Sequence, residues 1–270
     1  MTGHSNLVRC LVLLPNNTIA SGSADKTIKI WNATTGELIN TLNGHTDSVL
    51  CVILLKDEIT NEPIITSSSA DRKIIIWNTK KAQLIKNWNS NHLAEVYSLC
   101  SLESGNKLAT GSYKEIKIWN IIDNQLIRTL NGYFLHVYSL NLSDEGHLVS
   151  SGGQTVNIWN TNNEKIIKTL EGQTNTILSL AVLPADRVAC GSADSIIRIW
   201  NINTCTLIRL LKGHTNGVWS LALLDENKLA SGSLDKMIII WDFNSGQLLN
   251  TLKGHDYGVW SIVVKNSIRV

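Results

Sequence analysis

The stretch VWSLALLDENKLASGSLDKMIIIWDFNSGQLLNTL, residues 218–252, decides the fold. VWSLALL (218–224) is a mostly apolar run, DEN is a turn, KLASGS (228–233) is a second short segment, and Asp235-Lys236 marks a tight reversal. MIIIWD (237–242) is the third segment, NSG turns again, and QLLNTL (247–252) is the fourth. Short runs rich in β-branched residues, separated by Asp, Asn and Gly clusters, predict four antiparallel strands. The fourth is the most polar and belongs on the outside. No segment shows an apolar stripe with a 3.6-residue period, so helix is not expected anywhere.

The same pattern recurs along the chain. Trp31, Trp77, Trp119, Trp159, Trp200 and Trp241 follow one another at intervals of 46, 42, 40, 41 and 41 residues, each after a run such as TIKIW, KIIIW or IIRIW. Gly-His pairs at Gly3-His4, Gly44-His45, Gly213-His214 and Gly254-His255 keep the same beat, with Asn91-His92, Gly132-Tyr133 and Gly172-Gln173 in the intervening slots. A period of about forty residues built from four strands is the mark of a repeat architecture. Such units arranged as radial blades bury both faces of each sheet and leave no long unpaired edges.

Gly-His, then Ser/Thr-Gly-Ser-x-Asp, then an aliphatic run ending in Trp-Asp or Trp-Asn is a specific signature, and on it the chain resembles the WD-repeat (WD40) family from Gly3 onwards. Only Trp241-Asp242 keeps the literal dipeptide. The resemblance implies an all-β propeller of four-stranded antiparallel blades, with six complete blades and an incomplete seventh, in one domain over residues 1–270. The blades are expected at about 4–43, 44–90, 91–131, 132–171, 172–212 and 213–253, with the partial seventh at 254–270. The resemblance also implies a hydrogen-bond relay within each blade, complete three times: His4, Ser21, Asp25 and Trp31; His45, Ser67, Asp71 and Trp77; His214, Ser231, Asp235 and Trp241. Carboxylate, imidazole, hydroxyl and indole N–H can satisfy one another in a chain.

Asp, His and Ser together also suggest a catalytic triad. A nucleophile serves one cleft, however, whereas this set recurs at the repeat period with its serine in mid-strand, which favours bracing over chemistry. No GxSxG elbow, HExxH, phosphate-binding glycine loop or paired-cysteine box occurs, so no catalytic residue, metal or cofactor is expected. His136 is the only off-register candidate acid or base. The middle repeats depart from the pattern. Repeat three keeps His92, Thr110 and Trp119 but has no Asp in register; repeat four keeps Ser150 and Trp159 with Tyr133 in place of the His; repeat five has Gln173, Cys190, Asp194 and Trp200. Each missing hydrogen bond is worth on the order of 1 kcal/mol, so blades three to five are expected to be locally softer.

In the family the partner surface is usually the face where first strands begin. Five residues after each Gly-His slot stand Arg9, Leu50, Tyr97, Tyr138, Leu178, Trp219 and Trp260. Four of these seven are aromatic, in a chain where 6% of residues are, and Tyr, Trp and Arg are the types that carry binding energy at interfaces. The alternative is that they fill the channel as core. Small residues at Ala24, Ala70 and Ala193, with Tyr113 and Leu234 at the comparable places, favour accessibility. A cage for a cationic ligand such as a methylated histone tail would need a facing carboxylate, for which Glu95 is the obvious candidate. The leading expectation is a non-catalytic scaffold or adaptor that binds other proteins or peptides, with no small-molecule substrate; a peptide reader and a propeller enzyme are the alternatives.

Bulk properties agree with this. Among 270 residues, 24 are basic and 22 acidic, a net charge of +2, which lacks the excess that nucleic acid or an anionic membrane demands. No apolar run approaches the roughly 18 residues of a membrane span, and the first residues do not read as an export signal. An intracellular protein, cytoplasmic rather than nuclear, is expected. Cys10, Cys51, Cys100, Cys190 and Cys205 form no CxxC pair and are expected as reduced thiols.

After Gly254-His255 comes one more first-strand pattern, VWSIVV (259–264), then KNSIRV. The expectation is a seventh blade completed by another chain or by residues beyond this sequence, with a six-bladed ring and a stray strand as the alternative.

Overall fold

The structure, a computed structural model, describes residues 3–55, 63–102, 106–161, 163 and 165–265. The described residues form strands and turns with no helix. Two compact units divide the chain, Met1–Gly132 and Tyr133–Val270.

The first unit holds sheet 1 (Val8–Leu14, Thr18–Ser23, Thr27–Asn32, Leu38–Asn43), sheet 2 (Val49–Leu55, Ile64–Ser69, Lys73–Asn78, Gln83–Asn89) and sheet 3 (Ser98–Ser101, Lys107–Gly111, Tyr113–Asn120, Gln125–His136), except that residues 133–136 at the end of the last strand belong to the second unit. The second holds sheet 4 (Ser139–Leu142, Leu148–Gly152, Thr155–Asn160, Lys165–Leu170), sheet 5 (Ile177–Leu183, Arg187–Ser192, Ile197–Asn201, Thr206–Leu211) and sheet 6 (Val218–Leu223, Lys228–Ser233, Ile238–Asp242, Gln247–Leu252). In every sheet the strands pair antiparallel in chain order. Strand content follows from the runs quoted above, and the reversals between second and third strands in sheets 1, 2 and 6 carry a turn residue in the left-handed region, Lys26 (φ 73°), Arg72 (φ 65°) and Lys236 (φ 71°). The last strand of sheet 3 runs on to His136, past the Gly132 at which the fourth repeat was expected to open.

Within each unit the sheets pack face to face. Ile28, Leu42, Val49, Val52 and Ile65 join sheets 1 and 2 in one buried cluster; Ile74, Val96, Leu99 and Leu108 join sheets 2 and 3. In the second unit Val156, Leu170, Ile177 and Val188 join sheets 4 and 5, and Ile197, Leu211, Val218 and Ile239 join sheets 5 and 6. The glycine before the last serine of the second strand makes these seams close: a Cβ on Gly22 would lie 2.7 Å from Val49 Cγ1, and one on Gly191 2.8 Å from Val218 Cγ1. Residues in the middle of the outer strands tie sheet 1 to sheet 2 and sheet 5 to sheet 6, Asn40 donating to Thr79 O at 3.1 Å and Arg209 to Ser245 O at 2.7 Å.

Residues 259–264, expected as a first strand, form no strand here, because no second strand among the described residues lies beside them to pair with. They pack on sheet 6 instead: Val259 N donates to Ser233 O at 2.9 Å and Ile262 N to Ser220 Oγ at 2.8 Å. Residues 266–270, the end of the expected seventh blade, lie outside the described residues.

Candidate interaction face

The relay sets come together in sheets 1, 2 and 6. His4 Nδ1 lies 2.7 Å from Asp25 Oδ2, His4 Nε2 2.7 Å from Ser21 Oγ, and Trp31 Nε1 donates to Ser21 Oγ at 2.7 Å. The corresponding distances are 2.9, 2.8 and 2.8 Å around His45, Asp71, Ser67 and Trp77, and 2.7, 2.7 and 2.8 Å around His214, Asp235, Ser231 and Trp241. An ionised carboxylate can only accept, so Nδ1 carries the proton, Nε2 accepts from the hydroxyl, and the hydroxyl accepts from the indole. Burial alone would raise the Asp25 carboxyl; hydrogen bonds from Thr27, His4 and the Ser5 backbone outweigh it and hold it well below the usual carboxylate range. Asp71 and Asp235 are lowered in the same way against the same cost of burial. The serines are 0–3% exposed and each already accepts an indole N–H, so none is placed to attack a substrate.

Gly-His earns its glycine from the tryptophan. A Cβ on Gly44 or Gly213 would sit 2.8 Å from the Cη2 of Trp77 or Trp241.

The middle repeats were expected to lose part of the relay, and the structure corrects this for repeat three. Glu115 takes the carboxylate role: His92 Nδ1 lies 2.7 Å from Glu115 Oε1, His92 Nε2 2.8 Å from Thr110 Oγ1, and Trp119 Nε1 donates to Thr110 at 3.0 Å. Glu115 stands four residues before Trp119, where sheet 1 has Thr27, so its extra methylene reaches the imidazole from the third strand instead of the turn. Lys117 Nζ sits 3.2 Å from the same carboxylate and donates to Asn91 O at 2.6 Å. Burial pushes the His92 imidazole down to about 4, against the pull of Glu115.

In repeat four the Tyr133 hydroxyl bonds Ser150 Oγ, and Trp159 Nε1 donates to the same oxygen at 2.6 Å. The Tyr133 ring lies 6.1 Å from Trp159, matching the 6.0 to 6.3 Å of the His–Trp pairs. Burial pushes its hydroxyl up to about 12. The larger ring needs room, which Gly152 supplies where other sheets carry Ser23, Ser69 or Ser233. In repeat five Arg198 replaces the imidazole, its guanidinium 2.9 Å from Asp194 Oδ2 and donating to Thr174 Oγ1 at 2.8 Å. Cys190 supplies no hydroxyl there, and Trp200 Nε1 and the Gln173 amide are buried without hydrogen-bond partners. Glu115, Gly152 and Arg198 went unread in the sequence. Arg198 had a signal: it stands two residues before Trp200 in a strand otherwise apolar.

Four of the seven expected interaction positions share a backbone device. In sheets 1, 2, 5 and 6 the first strand carries a register shift between Val8 and Cys10, Val49 and Cys51, Ile177 and Ser179, and Val218 and Ser220. The residue skipped in each is Arg9, Leu50, Leu178 or Trp219. A bulge leaves its extra residue out of the ladder and re-aims its side chain. Tyr97 and Tyr138 stand just ahead of their strands, which begin at Ser98 and Ser139. All seven are half-buried except Leu178, which is 8% exposed.

In the second unit these side chains meet. Trp219 and Trp260 ring centroids are 4.6 Å apart, Tyr138 lies edge-on to Trp219 at 5.9 Å, and His136 is 5.7 Å from Tyr138. His136, the off-register histidine, therefore belongs to an aromatic row. A glycine stands two residues before each tryptophan: a Cβ on Gly217 would press on Leu178 at 3.1 Å and one on Gly258 on Leu234 at 2.6 Å. Among the described residues no group of His, Cys, Asp or Glu is arranged to hold a metal ion.

The family model described as the WDR41 β-propeller matches residues 1–137, and the WD domain, G-beta repeat model matches 124–160, 164–201 and 205–242. Nuclear distribution protein PAC1 of Coccidioides posadasii is 34% identical over 165 residues, 57% of this chain and 34% of that protein. Nuclear distribution protein nudF 1 of Talaromyces marneffei is 29% identical over 137 residues, 49% of this chain and 29% of that protein. WD repeat-containing protein 41 of Homo sapiens is 40% identical over 53 residues, 20% of this chain and 12% of that protein. The chain spans about a third or less of the length of these relatives.

Proposed function

This chain belongs to the WD-repeat β-propeller family, and on that premise we propose that it is a non-catalytic scaffold that docks other proteins or peptides through the positions at the start of its first strands. Residues 1–270 act in this reading as one propeller domain. The observation that carries it is the aromatic row Tyr138, Trp219 and Trp260, half-buried, in mutual ring contact and, at Trp219, thrown out of the ladder by a bulge. Aromatic side chains offer large contact area at low cost in side-chain entropy. Arg9, Leu50 and Tyr97 supply the same positions in the first unit, and Leu178 backs Gly217 in the second. The relays brace the sheets that present these residues, which leaves them no catalytic part.

Free cysteines and the charge of +2 fit a protein that works inside the cell, in the cytoplasm, on protein partners and not on nucleic acid. No helix among the described residues is long and apolar enough to cross a membrane. Residues 254–265 open a seventh sheet in this reading.

The test is affinity purification with mass spectrometry on the wild type and on Trp219→Ala/Trp260→Ala, with thermal melts run in parallel to check folding. Loss of the co-purifying proteins from a folded double variant is expected. Full retention of them would place the docking face elsewhere.

A further inference from the structure

Ahead of sheets 1, 2, 5 and 6, one short polar side chain turns onto the backbone amide that follows it. Asn6 Oδ1 accepts from Leu7 N at 2.8 Å, Asp47 Oδ1 from Ser48 N at 2.7 Å, Asn175 Oδ1 from Thr176 N at 2.7 Å and Asn216 Oδ1 from Gly217 N at 2.7 Å. The contact satisfies a backbone donor at the mouth of the first strand. It also sets the side-chain carbon Cγ beside the next backbone nitrogen. That juxtaposition is reactive when the carbon belongs to an amide and the next residue is glycine, because the nitrogen then approaches without a Cβ in the way. Of the four, Asn216 alone meets both conditions: Asp47 is a carboxylate, and Asn6 and Asn175 are followed by Leu7 and Thr176.

Two more Asn-Gly pairs begin at Asn43 and Asn131. These asparagines lie in the strands Leu38–Asn43 and Gln125–His136, where side chains stand off the hydrogen-bonded ladder. Asn216 lies in a bend between strands and is exposed to water. Ser233 Oγ donates to the Asn216 carbonyl at 2.9 Å, which polarises that peptide unit and makes its N–H a better acid.

We propose that Asn216-Gly217 is a site of spontaneous deamidation, whose isoaspartyl product withdraws Trp219 from its place in the aromatic row. The Gly217 nitrogen, its proton taken by hydroxide, forms a bond to Asn216 Cγ, and the side-chain nitrogen leaves as ammonia. One water then opens the five-membered imide, at Cγ to give aspartate or at the former backbone carbonyl to give isoaspartate. In all, one water is consumed and one ammonia released, with no oxidant or reductant.

The two products differ in their effect on the fold. Aspartate is what stands ahead of sheet 2, where Asp47 caps the next amide in the same way. Isoaspartate routes the main chain through the side chain, turns the carbonyl held by Ser233 into a free carboxylate, and adds a methylene between the His214 relay and the bulge at Val218–Ser220. Its consequence for partners rests on the reading of Trp219 as a docking residue.

The 1–270 protein is incubated at neutral and at mildly alkaline pH, and its digests are followed by mass spectrometry, with an isoaspartyl methyltransferase marking the branched product. Asn216 should convert at least tenfold faster than Asn6, Asn43, Asn131 and Asn175, at a rate that rises with hydroxide concentration. The isoaspartyl fraction should show a change in tryptophan emission that Trp219→Phe abolishes, whereas Asn216→Asp should keep the wild-type spectrum and melting midpoint. Equal rates at the three Asn-Gly pairs would overturn the proposal. So would a synthetic peptide of residues 210–222 that reacts at least tenfold faster than the folded chain, since the loop would then protect Asn216. Unchanged emission in the isoaspartyl fraction overturns the effect on Trp219. Changed emission with every co-purifying protein retained overturns the docking reading and leaves the modification standing.

Discussion

Gly152→Ala should be the most damaging single methyl group that can be added to the second unit. An ideal Cβ at this position falls 2.1 Å from Cδ1, 2.5 Å from Cε1 and 2.6 Å from Cγ of Tyr133, whose ring is 6% exposed. Real carbon atoms cannot approach so closely, so the ring must swing out. Displacement of a packed side chain costs about 1–3 kcal/mol, and loss of the Tyr133–Ser150 hydrogen bond adds about 1 kcal/mol. Reduced freedom of the unfolded chain returns roughly 0.4–1 kcal/mol. The net expectation is a loss of about 1–3.5 kcal/mol in unfolding free energy, measured by urea titration followed through tryptophan fluorescence. The comparison that matters is the background Tyr133→His. An imidazole beside a residue bearing a Cβ is what the His4/Ser23 and His214/Ser233 pairs already display, so Gly152→Ala should there cost within about 0.5 kcal/mol, the range of an unstrained surface change. Equal cost in both backgrounds would refute the idea that the glycine exists to admit the tyrosine.

Glu115→Ala should leave Lys117, 7% exposed, and His92 without their carboxylate and cost about 3–5 kcal/mol in the same titration; a loss under about 1 kcal/mol would mean the network is dispensable. Cys190→Ser should give Trp200 Nε1 an acceptor and raise stability by about 1 kcal/mol, with slower amide exchange in sheet 5. Stability should fall in two stages with acid. The unfolded His92 binds a proton near 6.5 and the folded one only near 4, so its contribution is complete above about pH 6.5 and is lost as pH falls towards 4. Asp25, Asp71, Asp194 and Asp235 are lowered, so their contribution is present above about pH 4 and lost below it. His92→Gln should flatten the upper stage alone, read from denaturant midpoints between pH 7 and 3. Amide exchange should be fastest in sheet 5, where polar groups are orphaned, and no faster in sheet 3 than in sheet 1; fast exchange in sheet 3 would contradict the role given to Glu115.

The strands and their order within a repeat were legible from the residues, and the three full relay sets through the resemblance to the WD-repeat family, because each depends on neighbours within about forty positions. Turn residues set the reversals, antiparallel pairing follows from short turns, and Ser, Asp and Trp keep a constant spacing because they brace a constant unit, while the His stands 17 residues before the Ser in sheets 1 and 6 and 22 in sheet 2. The positions proposed for docking stand out in the sequence as a row of unusual residue types. Their presentation does not: the bulges at Arg9, Leu50, Leu178 and Trp219 arise from pairing register, which composition does not encode.

Only tertiary structure decided how the irregular repeats are satisfied. Glu115 serves His92 from a different strand position than Asp25 serves His4, and Arg198 serves Asp194 where no histidine exists. A buried polar group is satisfied by whatever partner reaches it in space, so these replacements break the spacing on which motif reading depends. The pattern VWSIVV likewise announces a strand, yet residues 259–264 form none, since a strand's hydrogen bonds belong to a neighbour and not to its own sequence.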